Sequence, residues 1–161
     1  MTLRSIDGTK TFELEILRYQ FPEIEHDAWD SNWLVMFGNV ISNERSWNFT
    51  DPCLLTIEAH ELANWLAELA SGQPAPKTID FTEPNLSFKA IGSDARSVVL
   101  RVYFAFESRP SKAVAESDDF FEVFRISRDD LAIAARDLCR SLRRYPIRAG
   151  ARPWVSLCVE G

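Results

Sequence analysis

Histidine and glycine are scarce in this chain of 161 residues: there are two histidines, His26 and His60, and six glycines. A metal site built on histidine needs partner ligands at helical or hairpin spacing. His60 stands two positions from Glu58, which puts the two on different sides of a helix. His26 has only Glu25 and Asp27 beside it. So few glycines leave little material for a phosphate cradle, and no GxSxG turn, glycine-rich phosphate loop or Walker pattern occurs. No metal and no cofactor are expected. Cysteine is also sparse. Cys53, Cys139 and Cys158 are widely spaced, form no CxxC pair, and are expected as reduced, mostly buried thiols. No apolar run approaches the roughly 18 residues of a membrane helix. No apolar stretch follows the first residues, so a secretory leader is not expected and the expected location is the cytoplasm.

What is present is an ordinary globular composition, 46 % apolar and 26 % charged. A chain of this length buries roughly two thirds of its unfolded surface and needs no staple. One domain is expected over 1–161, with its core at about 10–148 and a C-terminal tail at 149–161. The net charge of −6 is unevenly spread. Residues 1–86 hold 14 acids and 5 bases, and the remainder holds 10 acids and 13 bases. An acidic surface steers toward cationic partners and away from nucleic-acid phosphates, so direct nucleic-acid contact is not expected. A merely solvated acidic surface explains the charge about equally well.

The patterning predicts an α+β domain: a mostly antiparallel sheet of about six or seven strands with two packed helices. Phe12 to Tyr19 alternates apolar and charged residues, which places Phe12, Leu14 and Ile16 inside and Glu13 and Glu15 outside. Strands are predicted at 32–41 and 45–50, with Asp51-Pro52 ending the second because proline lacks a ladder donor. A helix follows, capped by Thr56, with Leu62, Trp65, Leu66 and Leu69 on one stripe and Gly72 as its left-handed end. Further strands are read at 77–81, 85–91, 97–107 and 120–126. The 97–107 strand is taken as the longest and central, with Phe106 on its apolar side. Residues 108–119 are polar and read as an exposed loop. A second helix opens on Ser127 with Asp130 three residues on, and buries Leu131, Ala135, Leu138 and Leu142. Trp154 to Leu157 reads as a final short strand or a docked tail.

No catalytic residue is assigned. With 24 acids, carboxylate pairs arise by accident. The segment 21–33 is more informative. It sets Glu23, Glu25, Asp27 and Asp30 around Trp29 and ends on Trp33, and aromatic anchors ringed by charge are usual in protein interfaces. Trp33 fits the core better than a surface. For Trp29 the two readings are even. Glu23, Glu25, Asp27, Trp29 and Asp30 are therefore the candidate partner-binding residues. Arg136, Arg140, Arg143, Arg144, Arg148 and Arg152 form a second cluster, in which Arg136, Arg140, Arg143 and Arg144 share one helix face; this fits a solvated face, or pairing with the chain's own acids, better than nucleic-acid binding.

Several segments together resemble the WapI-type immunity proteins. They are Phe12 to Pro22, Asp30 to Leu34, Asp51 to Thr56 with Glu58, Phe81 to Phe88, Glu107 with Pro110, and Arg144 to Arg148. Their order and spacing carry the resemblance over about residues 10–148. It implies a bacterial cytosolic protein that neutralises a cognate protein toxin by tight stoichiometric binding, without turnover. The toxins of that group include nucleases acting on RNA. The alternative is a small-molecule or carbohydrate binding module that uses Trp29, Trp47 or Trp154 in an apolar pocket. A hydrolase with a carboxylate pair stands third.

Overall fold

The structure, a computed structural model, describes residues 1–110 and 120–149. Its elements run in the order β1 (Thr2–Arg4), β2 (Thr11–Tyr19), β3 (Trp33–Ile41), β4 (Ser46–Leu55), α1 (Thr56–Ser71), β5 (Thr78–Asp80), β6 (Leu86–Ser93), β7 (Ser97–Phe104), β8 (Phe121–Ser127) and α2 (Arg128–Leu142). The class is α+β, as the patterning predicts. The strands form two four-stranded antiparallel sheets, ordered β1-β2-β3-β4 and β5-β6-β7-β8, rather than one sheet of six or seven.

Alternation does what the sequence predicts in β2. Phe12, Leu14 and Ile16 are buried while Glu13 and Glu15 are exposed. The ladder then shifts between Ile16 and Arg18, so Leu17 and Arg18 both face out and Tyr19 returns inward. Such a bulge adds one residue to one strand and re-aims the side chains beyond it.

Two sequence expectations fail here for identifiable reasons. Pro52 does not end β4, which continues to Leu55. The strand lies at a sheet edge, where proline is tolerated, and the register with β3 shifts beside Pro52, between Leu34 and Val35. The predicted strand over 97–107 stops at Phe104, and β4 is the longer strand. Phe106 turns into a left-handed conformation (φ 51°) and is 67 % exposed instead of buried.

Helix α1 buries Leu62, Trp65 and Leu66 and ends on Gly72 at φ 72°, the conformation that glycine adopts without penalty. Thr56 is its first residue rather than its cap, and its hydroxyl donates to the Asn32 carbonyl at 3.0 Å. The buried Glu58 carboxylate instead accepts the Leu55 N–H at 2.8 Å and the Thr82 N–H at 2.6 Å. Helix α2 opens as predicted, with the Asp130 N–H donating to Ser127 Oγ at 3.0 Å. Its predicted stripe, Leu131, Ala135, Leu138 and Leu142, is buried.

Both sheets and both helices contribute to one buried cluster, in which Phe12 of β2 lies 5.4 Å from Phe104 of β7 and 6.3 Å from Phe88 of β6, ring centre to ring centre. Cys53 is a buried free thiol. Cys139 is disulfide-bonded, which corrects the expectation of a reduced thiol at that position. The predicted terminal strand at 154–157 and most of the 108–119 loop lie outside the described residues.

Candidate functional site

The segment between β2 and β3 is built from short-range turns. The Asp27 carboxylate accepts the N–H groups of Trp29 and Asp30, both at 2.7 Å, and so opens a 3-10 turn over Asp30–Asn32. The Ser31 hydroxyl donates back to the Asp27 carbonyl. Asn32 is buried beneath this turn, and its amide donates to the Ala28 carbonyl at 2.9 Å.

A distant residue pins the segment. The Asn32 side chain exchanges two hydrogen bonds with the Arg148 backbone: Nδ2 donates to the Arg148 carbonyl at 2.8 Å, and Oδ1 accepts the Arg148 N–H at 2.9 Å. The Arg148 guanidinium donates to the Pro22 and Ile24 carbonyls, each at 3.0 Å. It also sits 3.7 Å from the centre of the Tyr19 ring, a favourable cation–π geometry. The Tyr19 hydroxyl donates to the Pro146 carbonyl, and Tyr145 packs edge-on against Tyr19. The chain after α2 thus straps the acidic segment to the end of β2.

All five predicted site residues lie on this strapped segment, and all are exposed: Glu23, Glu25, Asp27, Trp29 and Asp30. Trp29 is 60 % exposed, whereas Trp33 is half-buried at the start of β3. Asp27 serves the turn as well as the surface. Asn32 and Arg148 escaped the sequence reading. The sequence sets Asn32 in the 21–33 segment and Arg148 in the C-terminal arginine cluster, with nothing to say that the two meet.

A second acidic group stands at β4 and the connection after β7. Buried Asn85 donates from Nδ2 to Asp51 at 3.0 Å and to Glu107 at 3.2 Å. Burial, then the Glu107 and Glu83 charges, push the Asp51 carboxyl above its usual value. Exposed Phe106 adjoins Glu107.

The remaining candidates do not converge. Trp47 is buried, and its indole N–H donates to the Ser108 carbonyl at 2.9 Å, so it lines no open pocket. Trp154 and Arg152 lie outside the described residues. On α2, Arg140 pairs with Asp137 at 3.0 Å and Arg136 is exposed, as are Arg143 and Arg144 just beyond its end. Among the described residues, no group of three or more His, Cys, Asp or Glu is arranged to hold a metal ion, and no helix is long and apolar enough to cross a membrane.

Residues 2–146 fit the model of the Immunity protein WapI-like family. No curated protein and no solved structure matches.

Proposed function

The chain belongs to the WapI-like immunity protein family, and from that premise we propose that it neutralises a cognate protein toxin by direct stoichiometric binding through the acidic segment at Glu23, Glu25, Asp27, Trp29 and Asp30. One observation carries this reading. A largely exposed tryptophan sits among four exposed carboxylates on a backbone held in place by Asn32 and Arg148. An aromatic anchor on a pre-ordered segment binds with less ordering entropy to lose. The carboxylates steer association with a cationic surface. An RNA-cleaving nuclease offers such a surface, because its site must hold phosphate. No turnover is involved. The partner is a protein, encountered in the cytoplasm.

The test uses a toxin domain taken as the candidate cognate partner. Titration calorimetry is expected to give a one-to-one complex, and co-expression is expected to restore growth. Replacing Glu23, Glu25, Asp27 and Asp30 with serine should slow association at least about tenfold at low salt and flatten its salt dependence. Serine at position 27 still caps the turn. Trp29→Ala should instead speed dissociation, by about 1–3 kcal/mol of lost affinity. Unchanged association in the serine variant sinks the assignment of this segment.

A further inference from the structure

The sheet β5-β6-β7-β8 has a second face, directed away from the shared core. Phe88, Leu100, Val102 and Phe124 point into the core. Their neighbours Lys89, Arg101, Tyr103 and Phe121 therefore point outward, and they are half-buried or exposed.

That face is chemically uneven. Lys89 and Arg101 are direct partners in the β6/β7 register. Two cations opposite each other on one face repel, and neither takes part in any of the ion pairs among the described residues. Arg101 Nε is buried and has no acceptor, although its Nη1 donates to the Tyr103 hydroxyl at 3.1 Å. An orphaned buried donor is costly and calls for an explanation. Two aromatic residues lie alongside. The Arg101 guanidinium is 4.3 Å from the centre of the Phe121 ring, and Tyr103 pairs with Phe121 across β7/β8. Beside them opens a cavity of about 340 Å³, lined by Thr78, Asp80, Ser87, Lys89, Tyr103 and Arg109 among others, so that it carries one carboxylate against two cations.

We propose that this face binds single-stranded nucleic acid. Lys89 Nζ and the outer nitrogens of the Arg101 guanidinium take backbone phosphates. Tyr103 and Phe121 offer ring faces on which bases stack with little regard to sequence. An acidic peptide would use the cations and leave the rings idle. A free nucleotide would use one cation and one ring. The net charge of the chain argues against nucleic-acid contact for the molecule as a whole, but the acids are concentrated before residue 87, and beyond it bases outnumber acids by 13 to 10. This face is distinct from the acidic segment, so the inference stands or falls separately from toxin binding.

The experiment is fluorescence anisotropy of the full chain with a labelled oligouridine RNA of about ten nucleotides. Binding is expected at low salt, and unlabelled oligouridine should compete while uridine monophosphate and polyglutamate do not. Lys89→Gln/Arg101→Gln should weaken binding more than tenfold and lower the slope of log affinity against log salt by about 1.4, from about 0.7 for each lost phosphate contact. Tyr103→Leu should weaken binding about tenfold with the slope unchanged. Thermal unfolding of each variant checks the fold, and Lys89→Gln alone serves if the double variant melts early. Absence of binding at low salt overturns the proposal. So does a folded variant that binds like the parent, or equal competition by the mononucleotide or by polyglutamate.

Discussion

Asp7 is fully exposed, yet three donors converge on its carboxylate. The Ser5 hydroxyl lies at 2.7 Å, the Thr9 hydroxyl at 2.8 Å and the Thr9 N–H at 3.0 Å. Each favours the charged form, the Ser5 bond most, and together they hold the pKa at about 2 against an ordinary 3.8. A folded pKa below the unfolded one gives stability that is present above the unfolded value and lost as pH falls through the folded one. The Asp7 contribution therefore vanishes between about pH 4 and about pH 2. Asp7→Asn should flatten that part of the stability–pH curve, as read by thermal unfolding in acid. Asp51 works in the opposite sense. Burial, then Glu107 and Glu83, raise its pKa, so its ionisation costs stability as pH rises. Asp51→Asn keeps an oxygen for Asn85 and should raise the melting temperature near neutral pH while changing it little in acid. Asn32→Ala would strip the Arg148 backbone N–H and carbonyl and the Ala28 carbonyl of their partner. Urea denaturation should show a loss of about 1–3 kcal/mol. At this scale the sequence is readable only over short reach. The acids of the 21–33 segment stand out in one pass along the chain, but Asn32 and Arg148 are 116 positions apart and no local pattern joins them.

The helices were legible because their stripes and caps repeat within a few residues. Leu131, Ala135, Leu138 and Leu142 mark one face, and Ser127 marks its start. Strand interiors were legible from alternation; strand ends were not. Pro52 passes because β4 is an edge strand, and edge position is a property of the assembled sheet. Phe106 leaves the alternation because the chain turns at Ala105, where its N–H bonds the Asn85 carbonyl. One close approach between β3 and β4 shows how tightly the elements fit. Gly38 and Phe49 are register partners, and a Cβ on Gly38 would stand 2.1 Å from the Phe49 ring. The ring fills the space that a side chain would occupy, so Gly38→Ala must displace Phe49 from the core. Denaturant unfolding should show a loss of about 1–3 kcal/mol, and Phe49→Leu in the same chain should recover part of it. Additive losses in the double variant would show that the clash is not the cause.

Eight strands in two sheets were beyond the sequence because sheet membership is a long-range choice. Nothing local distinguishes β4 pairing with β3 alone from β4 continuing into β5. The structure joins the sheets by other means. Lys10 of the turn before β2 pairs with Glu122 of β8 at 2.6 Å, and the Ile6 N–H donates to the Arg125 carbonyl at 2.8 Å. Phe104 of β7 meets rings from the other sheet at 5.4 Å (Phe12), 5.2 Å (Trp47) and 6.5 Å (Phe49). Neither sheet can bury its inner face without the other, so the expectation of one domain becomes an expectation of one cooperative unit. Urea unfolding followed by tryptophan fluorescence, which senses Trp47 and Trp65 at the shared core, should coincide with unfolding followed by far-ultraviolet circular dichroism. Phe104→Ala should shift both curves together, with a loss of about 3–5 kcal/mol. If the sheets were independent, that substitution would move one phase and leave the other in place, and the two probes would separate in the parent chain as well.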